Sequence, residues 1–522
     1  MVIVAALLLC ERVGATERRL GKRAVTVADT IGMTELGDPA YFIGGHVQNG
    51  VAQYSPDRRH FVVVTARGDL TKNTVVYTLL LFRTDEALRT PVPKPLASLA
   101  SSSNRPAIDD IRWLDNKRLT FLGENPGQSH QLYTVDCESG LLNKLTKHPT
   151  NLHEYAMGAG NGELFFTAED QPLPLVRKHA FGSLVVTTEV LTDLLCGVNS
   201  FSAERQQHLF LHKMGNSRVI PIDTKGTIGP SDLSLSPDGR YLIVRTMPTE
   251  IPGEWREYQD PHLQLALRPT YLSGPPIYIF QYELIDVRSQ QSRILLNAPL
   301  GTDPTLAWAS DSRAVVISGT FLPLVVGDSA ERKKRQTTKF VVEVDIQTGA
   351  VLPITSQDVK PLRWNSPTDT LILAPSSYHG EGDAEAALVA FRKAGTGWRE
   401  AEPNVSDFHE GRNIRLMLVE DMNTPPKVFG VDEQTGQKAL LLDLNPQFKS
   451  LAFGQVTSVE FSATDGHTVK AGLYFPPNYN PAKRYPLVIQ THGWDPTRFW
   501  VNGVYSTAFA AQPLAAQDIT DI

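Results

Sequence analysis

A two-part repeat occurs along most of this 522-residue chain and constrains its fold more than any other feature of the sequence. The first part is a polar turn, Ser-Pro-Asp in its clearest copies, followed by a strand of apolar residues. Proline fixes φ at one turn position, while aspartate and glycine close the turn through a side-chain hydrogen bond and a permissive backbone. Copies of this turn and strand occupy residues 54–65, 235–244, 308–317 and 364–373.

The second part of the repeat is an alternating strand that ends in aspartate, then a turn that contains glycine, then another strand. It occurs at residues 131–146, 341–355 and 428–442. Alternation with tight turns predicts antiparallel hairpins, and two hairpins per repeat predict the four-stranded blade of a β-propeller. The repeat extends from about residue 40 to about residue 450, which at roughly 50 residues per blade predicts seven or eight blades. The alternative is a pair of β-sandwiches whose turns are similar by chance.

Composition excludes several classes of protein and of site. A hydrophobic content of 41% with 20% charged residues indicates a folded chain, and a net charge of −6 gives no general footprint for nucleic acid. The basic run at residues 332–335 is expected to be a solvated loop tip. Cys10, Cys137 and Cys196 are too few for a disulfide framework; we expect free, buried thiols, with a Cys137–Cys196 bridge as the alternative. The histidines lack metal-ligand spacing and no phosphate loop occurs, so neither a metal nor a cofactor is expected.

The first ten residues form an apolar run that is too short to span a bilayer, so no stable membrane span is expected. With Val13-Gly14-Ala15 as a small-residue cleavage candidate, residues 1–30 are interpreted as a signal-like segment and leader. This interpretation favours a periplasmic or extracellular protein, and a cytoplasmic one if the segment is not a signal.

The sequence pattern changes after residue 450. Residues 456–475 predict a hairpin with Asp465-Gly466 in its turn, and prolines at 476 and 477 predict a rigid connection. Residues 485–490 predict a short strand buried on both faces, which leads directly into His492-Gly493-Trp494, and a helix is expected around residues 505–517. An apolar strand followed by His-Gly is typical of the oxyanion loop of α/β-hydrolases, where backbone N–H groups stabilise the charge that develops during acyl transfer.

Residues 456–494, together with the exit segment at 419–446, resemble the prolyl oligopeptidase family, which includes dipeptidyl-peptidases and acylaminoacyl-peptidases. The resemblance implies a propeller at residues 31–450 and the incomplete start of an α/β-hydrolase domain at 451–522. It also implies a serine peptidase that acts on oligopeptides or acyl-peptides, with the propeller restricting access to the active site. The matching oxyanion-loop positions are His492, Gly493 and Trp494; Trp494 stands where many members have a second glycine, and a structural hydrogen bond is an equal alternative for His492.

The family nucleophile lies in Gly-x-Ser-x-Gly, and this pentapeptide occurs nowhere in the sequence. The triad aspartate and histidine would follow it, so we expect a truncated or frameshifted reading frame and no activity of this chain alone. Without the rest of the sheet, we expect Leu487, Val488 and Ile489 to lack partners and the region after about residue 455 to be sensitive to proteases. The competing hypothesis is a non-catalytic propeller that binds a peptide or a protein, and a third is complementation by a separate hydrolase polypeptide.

Glu254 and Glu257 have the i, i+3 spacing of two carboxylates on one helical face. In dipeptidyl-peptidases, acidic residues on a propeller-borne helix hold the free amino group of the substrate, and the resemblance makes these two residues candidates for that role. The alternative is an exposed helical turn with a local Glu–Arg pair.

Overall fold

The computed structural model describes residues 21–38, 51–89, 91–103, 105–158, 162–170, 206–213, 218–267, 279–365, 369–377, 388–402, 414–432, 434–462, 466–490, 494–501 and 510–522. Within these ranges the chain is mostly β-strand with a few short helices. It divides into two compact units. The larger unit comprises Thr34–Leu418 and Val428–Leu442, and the smaller unit comprises Met1–Met33, Val419–Lys427 and Asp443–Ile522. None of the helices in the described ranges combines the length and the apolar character needed to cross a membrane.

Antiparallel sheets of consecutive strands make up the larger unit. In chain order, its first two sheets contain Thr34–Leu36, Gln53–Tyr54, His60–Asp69, Thr74–Arg83 and Lys94–Ser101, then Ile108–Trp113, Arg118–Gly123, Gln131–Asp136 and Leu142–Lys144. An eight-stranded sheet contains Leu152–Met157, Glu163–Glu169, Gln207–Lys213, Val219–Ile222, Thr227–Leu235, Tyr241–Met247, Gln281–Asp286 and Gln291–Ile294. Two further sheets contain Leu300–Trp308, Ala314–Thr320, Phe340–Asp345 and Val351–Thr355, then Val359–Asn365, Thr370–Pro375, Val389–Ala394 and Gly397–Ala401.

A three-stranded sheet follows, with strands Ile414–Asp421, Thr424–Asp432 and Lys438–Asp443. The eight-stranded sheet consists of two four-stranded meanders that are joined through one residue pair, Gln207 with Ile228. In the described ranges every sheet stays open, because no first strand pairs with a last one. Contact between distant parts of the larger unit is made instead by the Tyr54 hydroxyl, which donates to the carbonyl oxygen of Ile414 at 2.5 Å.

Within the described residues the turns of the repeat form as the sequence predicts, and residues 366–368 of the copy at 364–373 lie outside them. The Ser55 hydroxyl donates to the Asp57 carboxylate at 2.7 Å, and the Ser236 hydroxyl donates to the Asp238 carboxylate at 2.6 Å. In the second part of the repeat, the Asp136 carboxylate accepts the backbone N–H groups two and three residues later, and Gly140 follows with φ of 72°. The same arrangement recurs at Asp345 with Gly349 and at Asp432 with Gly436. Each turn is followed by the predicted strand, so the repeat is a repeat of hairpins.

In the described part of the larger unit, three short helices lie between strands. They are a 3-10 helix at Gly253–Glu257 and α-helices at Pro261–Ala266 and Ser329–Thr337. The loop tip predicted at residues 332–335 is therefore wrong, because this basic run lies within a helix whose first turn is capped by the Asp328 carboxylate. Trp255 and Tyr258 are fully buried in the largest apolar cluster, and they fix the 3-10 helix to the strands around it.

The smaller unit contains a mixed sheet. Its strand order is Val456–Ser462, Thr468–Tyr474, Thr520–Asp521, Leu487–Val488, and the last two of these run parallel. The first two strands form the predicted hairpin, with Val456 opposite Tyr474. The α-helix Ala511–Ala515, within the helix predicted around residues 505–517, lies between the two parallel strands in the sequence, as a crossover connection requires.

The remaining elements of the smaller unit come from residues 23–31 and 446–452. Strand Arg23–Ala24 pairs in parallel with Leu451–Ala452, and a helix at Val27–Ile31 and a 3-10 helix at Pro446–Ser450 adjoin these strands. Their core is a cluster of buried side chains from Val25, Met33, Phe448, Leu451, Phe499 and Val501. Residues 21–31 thus belong to the smaller unit, and residues 1–20 of the predicted leader lie outside the described residues.

The predicted strand at residues 485–490 is shorter and more exposed than expected. Only Leu487–Val488 is a strand, and the side chains of Leu487 and Ile489 are 55% and 69% exposed. The prediction that this strand is buried on both faces is wrong here, because it is the edge strand of its sheet within the described residues. The accompanying expectation, that these apolar side chains lack partners, agrees with their exposure.

Candidate functional site

The residues predicted for the oxyanion loop follow the edge strand of the mixed sheet. His492 and Gly493 lie outside the described residues, whereas Trp494 is described. The backbone N–H of Gln490 donates to the carbonyl oxygen of Ile522 at 2.7 Å. Hydrogen bonding between the two parallel segments therefore extends to Gln490, the residue before Thr491. In open α/β sheets ligands bind outside the carboxyl ends of parallel strands, and the chain leaves the edge strand at that end.

Asp521 is a buried carboxyl group at the same end of the sheet. It is 1% exposed, and its carboxylate accepts a hydrogen bond from the side-chain amide of Gln490. Burial raises the pKa of Asp521 to about 6, in opposition to this hydrogen bond. No sequence motif marks Asp521, because it is a lone aspartate on a two-residue strand. The parallel pairing of that strand brings it beside Gln490.

Trp494, which stands where many members of the resembled family have a second glycine, packs its side chain against the hairpin. Its indole lies so close to Gly472 that a Cβ atom at Gly472 would overlap Trp494 Nε1. The ring also packs against the apolar cluster that contains Tyr474 and Trp500. Gly472 therefore makes room for Trp494, and the pairing of a small residue with a large one could not be read from either position alone.

The segment after Trp494 is held by hydrogen bonds and by a buried ion pair. The Asp495 carboxylate accepts from the backbone N–H and the hydroxyl of Thr497, at 2.8 and 2.7 Å. The Glu420 carboxylate accepts from the backbone N–H of Phe499 at 3.1 Å and lies 3.6 Å from the Arg498 guanidinium. Arg498 in turn lies over the ring of Trp500, with 4.3 Å between the guanidinium carbon and the ring centroid. These contacts fix the backbone that follows the predicted oxyanion loop.

Glu254 and Glu257 lie on the 3-10 helix Gly253–Glu257 of the larger unit. Arg332 donates to both carboxylate oxygens of Glu257, at 2.9 and 2.8 Å, and Gln336 donates to one of them at 3.2 Å. Glu257 therefore pairs with an arginine 75 positions away in the sequence. It does not form the local Glu–Arg pair that was the alternative prediction. Glu254 accepts a longer hydrogen bond of 3.4 Å from Asn297.

A second set of carboxylates in the larger unit lies around Arg112. Its guanidinium donates to the Asp110 carboxylate at 2.7 and 2.8 Å and to the carbonyl oxygen of Tyr155 at 2.6 Å, and it is 3.6 Å from Glu154. Burial, and secondly the Asp110 carboxylate, raise the pKa of Glu154 to about 8. No sequence motif marks these residues, because strands from different sheets bring them together.

The described residues contain no group of three or more histidine, cysteine, aspartate or glutamate side chains arranged to hold a metal ion. Cys137 is free and buried, and burial raises the pKa of its thiol to about 11, which disfavours the nucleophilic thiolate. Cys10 and Cys196 lie outside the described residues.

Comparison with known proteins gives structural similarity only. No protein-family model and no curated protein sequence matches this chain. The chain is similar to the AtxE2 isopeptidase in its apo form (13% identity, TM-score 0.42, 96% of this chain and 66% of that chain). It is also similar to the Pyrococcus horikoshii acylaminoacyl peptidase (12%, 0.46, 89% and 63%) and to Porphyromonas gingivalis dipeptidyl peptidase 4 (12%, 0.44, 96% and 74%). The chain thus spans slightly less than two thirds of the first two of these structures, and all three are peptidases by name.

Proposed function

We propose that this chain has the architecture of a prolyl oligopeptidase-type serine peptidase, with oligopeptides or acyl-peptides as the substrates of the complete architecture. One observation carries the proposal. The His492-Gly493-Trp494 sequence comes shortly after the strand Leu487–Val488. This strand pairs in parallel with Thr520–Asp521, through a helical crossover, in the same sheet as an antiparallel hairpin. Mixed sheets of this kind are common in α/β domains, and a His-Gly loop at a strand end of such a sheet is suited to holding an oxyanion.

The larger unit is proposed to be a seven-bladed propeller that restricts access to a substrate site. Within the described residues this unit has six sheets, of five, four, eight, four, four and three strands. When the eight-stranded sheet is counted as its two meanders, the total is seven groups of consecutive antiparallel strands. Recurrence of the same two turns in successive units supports blades over a pair of sandwiches, because sandwich strands have no reason to repeat both turns in register.

We further propose that His492, Gly493 and Trp494 form the oxyanion loop and that Glu257 is a structural residue rather than an anchor for a substrate amine. The bidentate pair with Arg332 supports the second point, because a substrate ammonium group would have to compete with a guanidinium already in place. Glu254, which has no cationic partner among the described residues, is the better candidate of the two for an anchor.

Since Gly-x-Ser-x-Gly is missing from these 522 residues, the chain is proposed to be inactive without a further polypeptide that supplies a serine. The same observation favours a second candidate function, a propeller that binds peptides or proteins without cleaving them. The test is reaction of the purified chain with a fluorophosphonate probe for activated serine. We expect no labelling above that of the heat-denatured chain; stoichiometric labelling would refute the inactive state.

A further inference from the structure

The larger unit contains a cavity of about 440 Å³ that no part of the proposed peptidase chemistry uses. It is bounded by the first strand of the unit, the strand His60–Asp69 and the strand Ile108–Trp113. Leu36, Val62, Val64 and Ile108 give it an apolar wall. Its polar lining residues are Asp38, Gln53, Asp109, Asp110 and Arg112. A cavity of this volume can hold a small organic ligand, and its lining combines one apolar wall with several charged and polar groups.

The polar wall of the cavity has an excess of negative charge. Arg112 is bound to the Asp110 carboxylate through two hydrogen bonds, so these two charges neutralise each other. The Asp109 carboxylate accepts only the backbone N–H of Asp110, at 2.8 Å, and within the described part of the chain no lysine, arginine or histidine pairs with it. Asp109 is half-buried, and a half-buried carboxylate without a counter-ion is costly unless a cation binds to it.

The backbone at this wall is irregular, which explains how two adjacent carboxylates come to line one cavity. The strand Ile108–Trp113 changes register between Asp109 and Arg112, and Asp110 has φ of 44°. Such a bulge re-aims side chains away from the strict alternation of a strand. Burial and the neighbouring Asp110 and Asp38 carboxylates raise the pKa of Asp109, as expected where negative groups share a poorly hydrated site.

We propose that this cavity binds a primary ammonium group carried on an apolar body, with Asp109 as the counter-ion and Val62, Val64 and Ile108 as the apolar contact surface. The positive charge of an ammonium group balances the negative charge of the Asp109 carboxylate. An apolar body fits against the apolar wall of the cavity. A free hydrophobic amine and the amino terminus of a peptide with an apolar first residue share this chemistry. The site lies within the larger unit alone, so the proposal is independent of whether the chain belongs to a peptidase.

The experiment is isothermal titration of the full chain with three probes: phenethylamine, the dipeptide amide Phe-Gly-NH2, and N-acetyl-Phe-Gly-NH2. We expect at least one of the two amines to bind, and the acetylated peptide, which has no charge, to bind at least about tenfold more weakly than its free counterpart. Binding of phenethylamine alone would indicate a small amine as the ligand, and tighter binding of the dipeptide amide would indicate a peptide terminus.

The Asp109→Asn variant should lose affinity for the bound amine by at least about tenfold, because the amide keeps the shape but not the charge. The matched control is Asp303→Asn, which removes an exposed carboxylate on another strand and should leave the affinity unchanged. Equal binding of the charged and acetylated peptides to the unmodified chain, or no saturable binding of either amine up to about 10 mM, would overturn the proposal. The comparison of probes needs no variant, so a folding defect of Asp109→Asn could not rescue it.

Discussion

Arg332 and Glu257 form a bidentate ion pair that joins the helix Ser329–Thr337 to the 3-10 helix Gly253–Glu257. The two side chains are 36% and 44% exposed, so water and salt screen most of the attraction between their charges. The pair therefore fixes the orientation of Glu257 more than it stabilises the fold.

Arg332→Met is expected to lower the free energy of unfolding by less than about 1 kcal/mol, since exposed pairs contribute little. The measurement is urea denaturation followed by circular dichroism. Arg256→Met, on the same 3-10 helix but without a side-chain ion pair in the described structure, is the control and should be neutral within about 0.5 kcal/mol. A loss above about 2 kcal/mol for Arg332→Met would show that the pair is a main support of the buried Trp255 and Tyr258.

Glu154 should make the larger unit less stable as the pH rises. Its pKa is raised to about 8 in the folded chain, so the folded state holds a proton that the unfolded state releases near its ordinary value, and stability falls between these two pH values. Glu154→Gln should remove this dependence and raise the free energy of unfolding at about pH 9 by about 1–2 kcal/mol, with little change at about pH 5. Thermal melting across this range measures it, and Glu138→Gln, an exposed carboxylate, is the control.

Asp521 should act in the same direction in the smaller unit, over a lower pH range. Its folded pKa of about 6 lies above the ordinary value of 3.8, so its contribution to stability is lost as the pH rises through that interval. Asp521→Asn is expected to stabilise the smaller unit by about 1–3 kcal/mol at about pH 8 and not at about pH 4. Hydrogen exchange in the hairpin would report it.

The exposed Asp518 supplies a control for this experiment. Its φ is 59°, a conformation that asparagine tolerates, so Asp518→Asn should change neither the stability nor its pH dependence. Equal stabilisation by Asp518→Asn and Asp521→Asn would mean that overall charge, and not the buried carboxyl group, is responsible.

Gly472 should tolerate no side chain while Trp494 is present. A methyl group there would overlap the indole, so Gly472→Ala is expected to destabilise the smaller unit by about 1–3 kcal/mol. The double variant Gly472→Ala/Trp494→Ala should not show that extra loss, as a double-mutant cycle would measure. Gly253→Ala, where nothing lies within 4 Å of the added Cβ, is the control.

Limited proteolysis should cut the chain after about residue 455 before it cuts the sheets of the larger unit, because few contacts protect a short, exposed edge strand. The exposed side chains of Leu487 and Ile489 are the expected chymotrypsin and thermolysin targets. Mass spectrometry of the first fragments locates the cuts, and simultaneous loss of both regions would contradict this expectation.

The local elements could be predicted from the sequence wherever a short-range rule operates. The turns at Asp57, Asp136 and Asp345 form within a few residues, and the structure has them where the repeat predicts them. The basic run at residues 332–335 is predicted as a loop tip because it lies between two strand-like stretches of sequence. A helix forms there because the Asp328 cap and the Glu331–Arg335 pair stabilise it.

The contacts that define candidate sites could not be predicted, because they join residues that are distant in the sequence. Glu257 meets Arg332, Arg112 meets Glu154, and Gly472 meets Trp494. No periodicity or spacing encodes such pairs, which follow only from the packing of elements that are distant in the sequence. The strand at residues 485–490 shows the converse: its apolar composition predicts burial, but burial also needs a neighbour on the far side of the sheet.

The hydrogen bond between Tyr54 and Ile414 has a consequence for how the chain acquires its structure. Its partners are separated by 360 positions, so it can form only after almost all of the larger unit has been synthesised. Each hairpin needs only local contacts and can form early. The contact between Tyr54 and Ile414 requires the closure of a very long loop, which costs conformational entropy. The larger unit should therefore assemble on the ribosome hairpin by hairpin, and its first and last sheets should be joined in a late, slow step.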